Sequence, residues 1–350
     1  VPPITIPDAK KANRRVLMVV VGIMLVAGIS GLAFALMTQS RRGLVMLSDS
    51  SALGYLPGDT NVILGLPIAS ADQNAQAREL LDRIGLGQGD LNVEALTGLR
   101  RDDISEIVLG LHVGNQLLPA IRLIVKTRQS LEPEKVAQKL GAFRTATAGS
   151  KTIQRIKPPG LPLEAGMWCP DARTLVICSP PEDLANVPDE PFKSVDLLSA
   201  PLADLLKYRP EKETVCWAVA HHADWSATAL PLLLTRQPKE LRDRILSIQT
   251  AGIGIRIDSG KNPIRARPAR ATEVPTPEPS GIALDLTLWT KSPEQAVEIK
   301  SAIEAWINGS KLTLQSGGGV EERRYTLTVT GDPVGIARSI REWDRAAPKP

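Results

Sequence analysis

Aromatic side chains are scarce in this chain of 350 residues, with six Trp, three Tyr and three Phe making up 3% of it. Cysteine and histidine are scarcer still, at three each. So few soft ligands exclude a disulfide scaffold and a zinc-ribbon array. The 27 Gly and 28 Pro fall in no collagen-like period. No serine-hydrolase elbow, HExxH pair or P-loop is written anywhere in the chain. A one-signed charge is missing too. Of 42 basic and 38 acidic side chains, six basic ones (Lys10, Lys11, Arg14, Arg15, Arg41, Arg42) and one acid, Asp8, lie before Gly43. The remainder nearly cancels, so no broad field attracts phosphate, and nucleic acid is not an expected partner.

What the N-terminal segment has is a long apolar run. Val16–Met37 carries no charge and, as a helix, reaches about 33 Å, close to the roughly 30 Å of a bilayer's hydrocarbon core. Four cations precede it and two follow. The positive-inside rule then sets residues 1–15 in the cytoplasm as a juxtamembrane linker, 16–37 across the inner membrane as a single-pass helix, and the rest outside beyond a linker at 38–50. Ala27, Gly31 and Ala35 share one helix face at the spacing that lets membrane helices touch. A cleaved signal peptide ending at Ala33-Phe34-Ala35 and a twin-arginine signal at Arg14-Arg15 are the competing readings. The chain opens on Val1 without Met, which suggests either a GUG start or sequence lost upstream.

Beyond the apolar run the chain repeats itself. Tyr55-Leu56-Pro57 and Tyr208-Arg209-Pro210 open corresponding stretches, followed by Thr60–Leu64 and Thr214–Ala218. Ile107–Val113 matches Ala251–Ile257, Ile121–Thr127 matches Leu284–Thr290, and Thr174–Pro181 matches Thr326–Pro333 without a gap. Alternation at Leu109, Leu111 and Val113, and at Ile253, Ile255 and Ile257, marks strands with one buried face. Pro133 and Pro293 each suit a first helical turn, and Ala296, Ile299, Ile303, Trp306 and Ile307 line one helix face. The expected fold class is therefore α+β. After the transmembrane helix come two tandem, duplicated domains of antiparallel sheet plus helices with ferredoxin-like flavour, 51–191 and 192–350. The sheet face bearing His112, Arg122, Lys126, Arg256, Asp285 and Thr287 reads as wet or as a contact between the copies. The second copy holds a Pro/Arg-rich insertion at 259–280, expected to be disordered or to bind anionic polymer or lipid headgroups.

Candidate chemistry is thin. His221 and His222 are adjacent on a strand and point to opposite faces, so a shared metal is disfavoured, and Asp224 suits a helix N-cap. His112 reads as a surface residue. Cys169, Cys178 and Cys216 read as inert thiols. Gly85–Gly89 reads as a helix end, and Ser316–Gly319 as a hairpin loop. Asp102 and Asp103, with Glu106 near, form a conceivable carboxylate pair or plain turn acids. Trp217, Trp225, Trp289, Trp306 and Trp343 read as core packing, with a glycan platform as the alternative. No catalytic, cofactor-binding or metal-binding residue is assigned, and no cofactor is expected.

The frame Tyr55-Leu56-Pro57-Gly58-Asp59-Thr60-Asn61-Val62, then Leu96-Thr97-Gly98-Leu99 and Asp102-Asp103-Ile104-Ser105-Glu106-Ile107, resembles uncharacterised extracytoplasmic repeat domains of planctomycete-type single-pass membrane proteins. The likeness covers most of residues 51–345 and implies no catalytic residues. The expected function is a non-catalytic, membrane-anchored extracytoplasmic binding or scaffold protein. The alternatives are the sensor part of a larger signalling protein with a kinase-like region upstream, and an envelope hydrolase with a carboxylate site.

Overall fold

Runs such as Val62-Ile63-Leu64 and Ile121-Arg122-Leu123-Ile124-Val125 are rich in β-branched side chains, which fit a pleated surface better than a helix. The computed structural model describes residues 52–72, 77–78, 93–116, 118–158, 163–193, 198–207, 214–235, 239–258, 281–309 and 315–331. Its strands are β1 (Val62–Leu66), β2 (Ile104–His112), β3 (Ala120–Thr127), β4 (Arg144–Ala148), β5 (Lys151–Ile156), β6 (Ala165–Asp171) and β7 (Thr174–Ser179). They continue with β8 (Thr214–His221), β9 (Ile248–Asp258), β10 (Gly281–Thr290), β11 (Gln315–Glu321) and β12 (Arg324–Gly331). All twelve join one sheet in the order β11-β12-β10-β9-β8-β1-β2-β3-β7-β6-β5-β4. Every neighbouring pair is antiparallel.

This corrects the fold class. The protein is mostly antiparallel sheet with few helices, not two tandem α+β domains, because β1 and β8 hydrogen-bond to each other and fuse both sets of strands. The hairpin β4–β5, whose Thr, Ala, Lys and Arg side chains show no clear apolar period, adds strands that the repeat pattern does not contain.

The registers place Ile177, Leu123, Leu109, Leu64, Ala218, Ile253, Leu286 and Leu327 in one row across eight strands. Leu64 and Ala218 pair at its centre. From there the order runs β1-β2-β3-β7-β6 one way and β8-β9-β10-β12-β11 the other, a local pseudo-two-fold. Leu109 and Ile253 stand in equivalent places, as do Leu123 and Leu286. In the last strand Ile177 takes the place of Leu327, two residues from the ungapped sequence match. A two-residue shift keeps every side chain on its face, so sequence pattern alone does not detect it.

Both faces are covered. On one, Leu66, Ile107, Val125, Leu175, Leu284 and Leu286 pack with Val136 and Leu140 around the helix Pro133–Lys139, and with Ile299 and Ile303 of the helix Pro293–Gly309. The first of these helices stops at Gly141, whose φ of 69° only glycine adopts without strain. On the other face Ile63, Val108, Ile124, Val176 and Trp217 lie beneath three segments. Those segments are the 3-10 turns Ala52–Tyr55 and Pro181–Asn186 and the helix Ala200–Lys207. The face expected to be wet is therefore buried over β1, β2, β3 and β7.

The apolar run Val16–Met37, with Ala27, Gly31 and Ala35, lies outside the described residues, as do 259–280 and Gly85–Gly89. Among the described residues no helix is long and apolar enough to cross a membrane. The longest, Pro293–Gly309, has 17 residues and carries Glu294, Glu298, Lys300 and Glu304, too short and too charged for hydrocarbon. This finding is against the transmembrane helix, the single-pass assignment and the inner-membrane location, and none is carried further.

Candidate functional site

The most unusual group in the molecule is a cation with no access to solvent. Arg122 sits in mid-strand on β3 and is 0% exposed. The Asp59-Thr60 turn before β1 and the 3-10 turn Pro181–Asn186 after β7 close over it. Nε and Nη2 donate to Asp183 at 2.5 and 3.1 Å. Nη1 and Nη2 donate to Asp59 at 2.7 and 3.0 Å, and Nη1 also to the Thr60 hydroxyl at 2.9 Å. A guanidinium has five N–H donors, and here all five are taken. Burial by itself lowers the Arg122 pKa, but the bonds to Asp183 and Asp59 outweigh burial and raise it. Burial likewise pulls Asp59 upward, yet Arg122 holds its carboxyl below the usual value. Asn186 donates to Asp183 at 2.9 Å, and His112 Nδ1 donates to the Asp59 carbonyl at 2.8 Å.

Two further cations on this face are fastened in the same way. Lys126 Nζ donates to Thr174 Oγ1 at 2.7 Å and lies 3.6 Å from Asp171. It also lies 5.0 Å from the Tyr55 ring centre, a cation–π distance. Tyr55 and Thr174 both donate to Asp171, at 3.1 and 2.6 Å. Burial, with the Asp171 charge beside it, pushes the Tyr55 hydroxyl up to about 12. Lys151 on β5 meets Asp189 at 2.7 Å and lies 5.0 Å from the Trp168 ring. Each cation is on a strand; Asp59, Asp183 and Asp189 lie on turns or straps beside it, and Asp171 ends β6.

In the other half Asp285 occupies the position of Arg122, with the charge reversed. Arg256 Nε donates to it at 2.7 Å and Thr328 at 3.4 Å.

The residues considered from sequence do not converge. His221 Nδ1 is 2.8 Å from Thr250 Oγ1, and burial followed by the neighbouring His222 lowers its pKa. The His222 ring lies 5.2 Å from Trp225 instead. Asp224 accepts from the Ser226 amide as the cap of the turn Trp225–Ala227 and from Lys291 at 2.8 Å. Its carboxyl falls to about 2, chiefly through Lys291. Asp102 is exposed beside Arg100, Asp103 offers its backbone carbonyl to Arg128, and Glu106 accepts the Ala52 amide. The Asp102 carboxylate faces Arg100 and that of Glu106 binds the Ala52 amide, so these two are engaged separately. Cys169, Cys178 and Cys216 are free thiols that burial pushes up, Cys169 to about 11 and Cys216 to about 12, so little thiolate forms. Trp217 and Trp225 are buried, while Trp306 and Trp343 lie beyond side-chain description. Gly317–Gly319, expected as a loop, belong to β11. Among the described residues no group of His, Cys, Asp and Glu is placed to hold a metal.

Sequence reading noted Arg122 and Lys126 but missed Asp59, Asp183, Asp171, Thr174, Lys151 and Asp189 as their partners or as parallel fastenings. The usable signal was two cations inside an apolar strand, since a lone buried charge is too costly to leave unpaired. No family model matches the chain, nor does a curated protein or a solved structure.

Proposed function

We propose that the chain is a binding or scaffold protein rather than a catalyst. The observation that supports this reading is the saturation of Arg122. A group meant to grip a substrate or stabilise a transition state keeps donors aimed at an open position, whereas these five are spent on the protein itself. Lys126, Lys151 and Asp224 are engaged in the same manner. Charge in this molecule fastens straps to a sheet, and a fastened sheet is a rigid platform.

The competing hydrolase reading centres on Asp102 and Asp103. Reporter substrates for ester, peptide and glycosidic cleavage test it, with the wild type beside the double variant Asp102→Asn/Asp103→Asn. Equal rates at buffer level are expected for both. Turnover by the wild type that the double variant loses overturns the proposal.

A further inference from the structure

The two halves differ at their outer margins. Beyond β6 the first half adds β5 and β4. The second half has β11 at the place of β6, and among the described residues β11 pairs only with β12. Its helix Pro293–Gly309 uses the stretch that the first half divides between a shorter helix and the β4–β5 hairpin. Among the described residues β11 thus presents an edge that its counterpart covers.

Twelve strands, each antiparallel to the next, give the two edge strands opposite directions. A second copy laid beside β11 in the same orientation, helices on the same face, therefore brings its β4 antiparallel to β11. No flip is required. Ala148 pairs with Lys151 and Glu321 with Arg324 across two-residue loops, whose closing pairs exchange both hydrogen bonds. Alternation then turns the amide and carbonyl of Thr145 and Thr147 outward on β4, and those of Gly318 and Val320 outward on β11. Setting Val320 against Thr145 and Gly318 against Thr147 places Glu321 opposite Arg144 of the second copy, an attractive cross-strand pair. A Cβ built at Gly319 meets nothing within 4 Å, so the sheet face above this strand is uncrowded there. Neither strand has the Pro or Lys with which natural edges are blunted.

We infer that β11 of one copy pairs with β4 of the next, extending the sheet head to tail. The partner this names for the scaffold is a second copy of the chain, so the inference rests on that reading. Such a contact is heterologous and continues into rings or filaments.

Sedimentation velocity of the full chain over a concentration series tests it. The wild type is expected to gain mass with concentration. Thr147→Pro removes an outward amide of β4 and Gly318→Pro one of β11, and a proline at such a position spares the internal ladder. Each variant alone should stay monomeric, and an equimolar mixture should form dimers and nothing larger. If either proline perturbs folding, charge reversal replaces it. Glu321→Arg or Arg144→Glu should each weaken association roughly two- to fivefold, and the two together in one chain should restore it. A monomeric wild type, self-association that survives both prolines, or a mixture that fails to pair overturns the inference. A monomeric wild type without turnover leaves the scaffold reading standing with another ligand, whereas turnover with intact assembly removes the scaffold reading alone.

Discussion

At equivalent places in one sheet, the first half buries a cation and the second an anion. Arg122 is enclosed by acids from turns on either side of the strand set, whereas Asp285 receives Arg256 from the adjacent strand. The first arrangement ties distant chain segments together, since Asp59 and Asp183 lie 63 and 61 residues from Arg122. The second ties one strand to its neighbour, which the sheet already does. A buried ion pair therefore has different consequences according to what its partners are attached to.

The largest expected effect is Arg122→Met. It leaves Asp59 and Asp183 facing each other without a counter-charge and should cost about 3–5 kcal/mol, read as a lower urea midpoint at unchanged slope. Asp285→Asn keeps a hydrogen-bonding side chain beside Arg256 and should cost only about 1–2 kcal/mol. Equal losses would erase the contrast between the halves. At their junction, Gly65→Ala places a Cβ 2.1 Å from the Trp217 ring. It should cost about 1–3 kcal/mol, and Trp217→Leu in the same chain should recover part of it.

Titration discriminates more finely. Asp59 and Asp171 have folded pKa values below their ordinary ones, so both favour the folded state while ionised. That stabilisation is complete above the ordinary carboxylate value and disappears as pH falls through the lowered one. Asp59→Asn should flatten the acid limb of the stability curve. Tyr55 has the opposite sign: its contribution is complete below its usual value of 10 and is lost as pH rises through about 12. Tyr55→Phe should remove that alkaline loss. The smallest effect is expected for Asp224→Ala, which removes the cap of a three-residue turn at an exposed site and should lower the Tm only slightly.

Much of the strand content was legible from the residues. Period-two alternation marked β2 and β9, the repeat located β3 and β10, and the match between the copies set Leu109 against Ile253 and Leu123 against Leu286. The helix starts at Pro133 and Pro293 followed from proline's missing amide, and the Asp224 cap from its side-chain oxygen. β4 and β5 were not legible, because Ala146, Ala148, Ile153 and Ile156 are too few and too unevenly spaced among Thr, Lys, Arg and Gln to read as a period. Gly317–Gly319 imitated a loop for a related reason, since glycine carries no side chain from which a period could be read. The site was half legible. Arg122 and Lys126 were noted only as members of a face expected to be wet, and their acids gave no signal, since Asp59 and Asp183 sit in turns and Asp171 at the end of β6, where a carboxylate reads as any exposed one.

By itself, then, the sequence determined most of the strands outside β4, β5 and β11, which of their side chains share a face, and that the halves correspond. Those properties depend on neighbours along the chain. Only the tertiary structure decided that β1 and β8 join the halves into one sheet, that the face bearing Arg122 is closed over, and which acids meet which cations. Each of these is a contact between segments tens of residues apart. It is selected by the cost of leaving a strand edge, an apolar face or a charge uncovered, and that cost is set by the assembled fold.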